Sequence, residues 1–247
     1  MMRPEADEVH ISCTFTWDKR KAERLALAWQ QYFPVVNLGG PAYNDHCDTF
    51  TPGMYVKQGV TFTSRGCNNQ CPWCLVHKRE GNLRQIPDFP MGNIIQDNNI
   101  LQCEKAHIDK VFQMLRSQKQ IVFSGGLEAG FLKWEQAEEL RSLRIKELFF
   151  ACDTKGALPS LINAGELLKD LDRRKKMCYV LLAFNGQTLD QAKEHLENVW
   201  GAGFMPFAQL FQPPDKLINY PKEWRSLARR WSRPAIMQSM NGKDKTP

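Results

Sequence analysis

From about residue 55 onward, short apolar runs alternate with amphipathic stretches. The strand-like runs span residues 58–63, 120–124, 147–152, 177–184 and 204–211. Each is rich in β-branched or aromatic residues and bounded by Gly, Asn, Asp or charged positions. Between them the apolar spacing lengthens, which predicts helices over 104–118, 133–144, 158–176 and 188–200, with another over 222–231 after the last strand. In the first of these, Ile108, Val111, Phe112 and Leu115 fall on one face. Thr188, Asp190 and Gln191 predict a helix start, and Gly201 and Gly203 its end.

Strand–helix alternation predicts a parallel sheet with right-handed crossovers. Runs that are apolar at every position, such as 179–184, predict a sheet covered on both sides. An open doubly wound sheet and a partial barrel both fit this pattern. Ahead of it, residues 9–17, 18–32 and 35–38 read as strand, helix and strand. They make a small β-α-β unit within residues 1–52 that ends in a linker over 41–52. The segment 81–103 carries Pro87, Pro90 and Asp97-Asn98-Asn99 and reads as a long functional loop, a candidate lid. Residues 53–234 then form the main domain, and 235–247 a basic flexible tail.

With 43% hydrophobic and 24% charged residues among 247, the chain has apolar material for a core of ordinary enzyme size. No apolar run approaches the roughly 20 residues of a membrane span. The opening Met-Met-Arg-Pro-Glu-Ala-Asp-Glu carries no apolar segment of a secretory signal, so a cytoplasmic protein without membrane contact is expected. The net charge is +6, and from residue 215 to the end there are eight Lys/Arg against three Asp/Glu. Over 221–234, Trp224, Leu227, Ala228 and Trp231 make one apolar stripe, with Arg225, Arg229 and Arg230 largely off it. A solvated basic face accounts for this. Contact with nucleic acid or an acidic partner is the sharper alternative.

Of eight cysteines, Cys13, Cys47, Cys103, Cys152 and Cys178 stand singly, mostly in apolar surroundings, and read as small core residues. The other three crowd into Thr63-Ser64-Arg65-Gly66-Cys67-Asn68-Asn69-Gln70-Cys71-Pro72-Trp73-Cys74, directly after a strand, with Pro72 keeping the stretch out of a regular helix. Thiolates hold iron–sulfur clusters, and three of them on a four-iron cube leave one iron open. An open coordination position is what admits substrate to a functional metal site. Two other chemistries use the same residues. Zinc with His77 as fourth ligand would make a nucleic-acid or protein interaction module. A Cys71-Pro72-Trp73-Cys74 pair would make a thiol–disulfide oxidoreductase.

C-x3-C-x2-C with an aromatic residue before the last cysteine, on the loop after the first strand of the main domain, resembles the signature of the radical S-adenosylmethionine (SAM) superfamily. The resemblance implies an α/β fold built as a partial (β/α)6-type barrel with mostly parallel strands. It also implies a 4Fe-4S cluster on Cys67, Cys71 and Cys74, with S-adenosyl-L-methionine chelating the open iron and Trp73 near the cluster or adenine. SAM is then cleaved reductively to a 5′-deoxyadenosyl radical, with an electron donor of flavodoxin or ferredoxin type and an unknown substrate.

Ser124-Gly125-Gly126-Leu127-Glu128 is similar to the family's Gly-Gly-Glu segment, although Leu127 intervenes. It implies that Gly125, Gly126 and Glu128 contact the methionyl amine. Asp153, Asn185 and Gln209, on the last three strands or at their ends, complete the implied SAM contacts. Turn or cap roles account equally for Asp153 and Asn185, and a core strand for Gln209. Arg65, Lys78, Arg79 and Arg84 offer positive charge to an anionic substrate. The N-terminal unit, with Gly39-Gly40-Pro41 and then Gly53, resembles a shortened cobalamin-binding region of one branch of the family. It lacks Asp-x-His-x-x-Gly, which implies a remnant that binds no cobalamin.

Overall fold

The computed structural model describes residues 5–43 and 56–241. Cys47, Gly53, most of the expected linker and the last six residues of the expected tail lie outside the described residues. The chain divides into two units. In the first, β1 (Glu8–Ser12) pairs in parallel with β2 (Val35–Gly39), and α1 (Lys19–Gln30) makes the crossover that parallel strands require. Its core is small: Cys13, Ala22 and Ala42, with Ile11, Leu38 and Tyr43 packed around them. The segment Gln212–Asn219 belongs to this unit, where the Thr16 hydroxyl donates to the Pro214 carbonyl.

The second unit holds a six-stranded sheet whose pairings are all parallel. In chain order its strands are β3 (Val60–Thr61), β6 (Ile94–Ile95), β7 (Ile121–Leu127), β8 (Ile145–Ala151), β9 (Lys176–Leu182) and β10 (Met205–Leu210). A short antiparallel pair, β4 (Ser64–Arg65) with β5 (Arg84–Gln85), brackets the cysteine loop and α2 (Val76–Arg79). The later strands are joined through α3 (Lys105–Arg116), α4 (Trp134–Ser142), α5 (Leu158–Leu167) and α6 (Leu189–Gly201). The chain then runs into α7 (Lys222–Arg230) and α8 (Pro234–Asn241). Strands lie side by side in the order in which they occur in the chain. A doubly wound sheet reverses its order at a switch point, and the described strands of this sheet show no such reversal.

Register shows which residues share a face. On one face Phe123, Leu148, Phe150, Val180 and Leu182 are fully buried. They join Val111, Leu115, Ala137, Leu140, Leu161, Leu196 and Val199 from the helices in one core. On the other, Met177 and Met205 are buried, Phe149, Tyr179, Leu181 and Phe207 are half-buried, and Gln209 is exposed. The second face is thus covered less completely than the expectation of a sheet covered on both sides implies. The second face does need apolar residues, because Phe149, Tyr179 and Phe207 pack on one another with ring centroids 4.8–6.2 Å apart.

Three further expectations change. The segment 81–103 is not a free lid, since Ile94–Ile95 is a strand inserted in the sheet between β3 and β7. The helix expected over 158–176 stops at Leu167. Asp172 then caps a 3₁₀ turn, Arg173–Lys175, by accepting the Arg174 N–H at 2.8 Å. The tail expected from residue 235 begins as α8, with Met237 fully buried. No helix among the described residues is long and apolar enough to cross a membrane.

Candidate functional site

The cysteine loop follows β4 and is held from beneath by a buried carboxylate. Asp97 accepts the Thr63 N–H at 2.6 Å, the Thr63 hydroxyl, and the Ser64 hydroxyl at 2.8 Å. Burial pushes the Asp97 carboxyl above the usual range, and these donors pull it part of the way back. The loop starts at Gly66, whose φ is +79° and where a Cβ would collide with the Asn82 carbonyl, so the position requires glycine. The Gly66 N–H lies 3.0 Å from Asn98 Oδ1 and 3.3 Å from Glu80, which also pairs with Arg65 at 3.0 Å. Arg65 is therefore engaged within the protein, and Arg84 donates to the Glu80 carbonyl at 2.8 Å.

All three thiols are free and partly exposed. The Asn69 N–H approaches Cys67 Sγ at 3.4 Å, and the Val76 N–H approaches Cys74 Sγ at 3.5 Å. Burial raises the Cys71 thiol first, followed by the charges of Cys74, Cys67, Asp153 and Glu128. Burial also raises Cys74, against the Val76 N–H, with Cys67 and Asp153 adding to the rise. The three sulfurs thus sit within electrostatic reach of one another and of two carboxylates.

Glu128, at the end of β7, is the hub that connects the loop to the sheet. Its Oε2 accepts from Asn69 at 2.8 Å, Asn99 at 2.6 Å and Gln102 at 3.2 Å. Gln102 in turn donates to Asn69 Oδ1 at 3.0 Å, accepts the Asn68 N–H at 2.9 Å, and sits 3.7 Å from Cys67 Sγ. No described group bonds to Oε1. The glycines beside it divide the labour. Gly125 is where the Asp97 backbone passes so closely that a Cβ would collide with its carbonyl. Gly126, at φ +111°, has open space but a backbone that favours glycine. Between Phe123 and Leu127 the β7–β8 register slips, and Tyr179 donates to the Ser124 carbonyl at that slip at 3.0 Å.

Asp153 completes the ring around the cysteines. It accepts Trp73 Nε1 at 3.2 Å and the Leu181 N–H at 2.9 Å, which tie the cysteine loop to β9. Burial raises its carboxyl. Trp73 meets Phe184 edge-on at 5.4 Å.

No family model, curated protein or solved structure matches this chain.

Of the residues singled out in the sequence, Cys67, Cys71, Cys74, Trp73, Glu128 and Asp153 are thus brought together, with Gly125 and Gly126 at the adjoining bulge. Asn185 is exposed at a turn with φ +51°, a backbone that Asn tolerates, and turn chemistry alone accounts for it there. Gln209 is exposed on β10 and bonds to none of the others. The carboxamides of Asn69, Asn99 and Gln102 and the Asp97 anchor were missed. Their one sequence signal was the Asp97-Asn98-Asn99 run, read only as turn chemistry.

The donor set fits an iron–sulfur cluster. It is all sulfur, two sulfurs already receive backbone N–H groups, and a four-iron cube takes each thiolate on a different iron. Among the described residues, no three Cys, His, Asp or Glu side chains converge as they would on a single metal ion, His77 included.

Proposed function

We propose that this chain is a radical SAM enzyme in which Cys67, Cys71 and Cys74 hold a 4Fe-4S cluster beside a SAM site, at the carboxyl end of a partial (β/α)6-type barrel. The observation that carries the reading is the cysteine loop's link, through Asn69 and Gln102, to a Gly-Gly-x-Glu bulge at the end of β7, two strands along the sheet from β3. The unreversed strand order supports a barrel wall over an open doubly wound sheet. When bound, the cluster would supply the electron that cleaves SAM to methionine and a 5′-deoxyadenosyl radical, drawing on a donor of flavodoxin or ferredoxin type.

The protein's own residues orient and shield. Glu128 uses one oxygen to hold the loop and keeps the other for the methionyl ammonium. The bulge exposes backbone at Gly125 for close approach. Asp153 fixes the Trp73 ring over the loop. The thiol–disulfide alternative gains no support, because an attacking thiol is activated by a lowered pKa, whereas Cys71 and Cys74 are both raised.

The test is anaerobic reconstitution with iron and sulfide, reduction by dithionite, and an assay for 5′-deoxyadenosine from SAM. The expected result is brown protein with about four irons per chain that forms 5′-deoxyadenosine, and loss of both in Cys74→Ala. Colourless protein that retains zinc, or a cluster that never cleaves SAM, would overturn the proposal.

A further inference from the structure

The helix α7 carries a line of unmatched positive charge. Lys222, Arg225 and Arg229 recur at intervals of three or four residues, which places them along one side, with Arg230 beside them and Arg233 in the turn that follows the helix. All five are exposed, and none of their side chains forms a hydrogen bond, ion pair or ring contact with a described residue. Elsewhere in this unit several surface arginines are matched by carboxylates: Arg116 by Glu139, Arg141 by Asp170 and Arg174 by Asp172.

Local helix energetics do not explain the line. Arg229 and Arg230 favour the negative carboxyl end of α7, but Lys222 stands in its first turn, where the helix dipole opposes a cation. The other side of α7 is already used. Leu227 and Trp231 are buried, Trp224 and Ala228 pack against the core, and the Trp231 carbonyl accepts the Ala208 N–H of edge strand β10 at 3.1 Å. The helix is therefore fixed on the sheet, and its outward face offers charge and the Ser226 hydroxyl without an apolar anchor.

We propose that this face binds a single strand of nucleic acid through its phosphates. A helix-docked protein partner is recognised mainly through apolar anchors, and the exposed stripe has none. A phosphate backbone needs only cations and hydroxyls spaced along a line, and arginine suits phosphate geometry. The proposal goes beyond the SAM chemistry and stands without it, since the cations lie on α7 and the turn after it and need no cluster.

The test is fluorescence anisotropy of a labelled single-stranded RNA 20-mer with the full-length protein, read without reconstitution across a series of salt concentrations. Each phosphate contact to a single strand contributes about 0.7 to the slope of log affinity against log salt, so four contacts predict a slope of about −3. Arg225→Gln with Arg229→Gln should weaken binding on the order of tenfold and shrink the slope by about 1.4. These positions are exposed, so circular dichroism and the melting temperature should not change. Arg20→Gln with Arg24→Gln on α1 removes the same charge from another exposed helix and should leave binding unchanged.

Absence of binding at low salt, or equal weakening by the α1 pair, overturns the proposal. Tighter binding of a duplex of the same length overturns the single-strand assignment. Binding of polyglutamate in place of RNA would assign the face to an acidic protein instead.

Discussion

Asp97 shows how a side chain far from the chemistry can decide whether the site exists. It is a carboxylate buried without a cation bonded to it, whose compensation is three donors from Thr63 and Ser64. Truncation in Asp97→Ala leaves those donors buried and unpaired, which should cost about 3 kcal/mol or more by urea unfolding. Burial raises the native pKa above the unfolded value, so the native state holds this proton more tightly. Its contribution is therefore fully present below the unfolded pKa of about 3.9 and is lost as pH rises through the raised native value. Asp97→Asn should flatten that decline in the urea midpoint measured from about pH 4 to about pH 7; an unchanged slope would assign the decline to other groups. At this scale the cysteines were legible because their spacing is itself the signal. Asp97, Asn99 and Gln102 were not, because hydrogen bonds between segments some thirty residues apart leave no period in a sequence.

At the level of elements, the four longer strands of the main sheet, and the short β3, were legible because a parallel strand with one buried face favours β-branched and aromatic residues. What escaped was shorter or disguised. Ile94–Ile95 is a two-residue strand between Pro90-Met91-Gly92-Asn93 and the polar run Gln96-Asp97-Asn98-Asn99, and β7 continues through a Gly-Gly pair that reads as a turn. The unequal faces of the sheet also escaped, since Phe149 and Phe150 look alike in sequence. They should not behave alike. Phe150 is fully buried among helix residues, and Phe150→Ala should cost about 3–5 kcal/mol in denaturant unfolding. Phe149, half-buried on the open face, should cost about 1–2 kcal/mol. Equal losses would mean that the open face is covered in solution.

Across the whole molecule, the two units differ most in what holds them together. The first depends on Cys13, Ala22 and Ala42, whereas the second has a core contributed by five strands and their helices. Local opening tracks buried apolar contact, so amides of β1 and β2 should exchange with deuterium on the order of 100-fold faster than those of β8 and β9. Matching rates would show the units opening as one. The unreversed strand order has a different consequence, in the direction of synthesis. Glu80, Asp97, Asn98, Asn99, Gln102, Glu128 and Asp153 supply the side-chain bonds described around the cysteine loop, and all of them precede α5. A ribosome extends the chain at about 5–20 residues per second, N-terminus first. The residues that hold the cysteine loop are therefore all synthesised before α6, β10 and the basic helix.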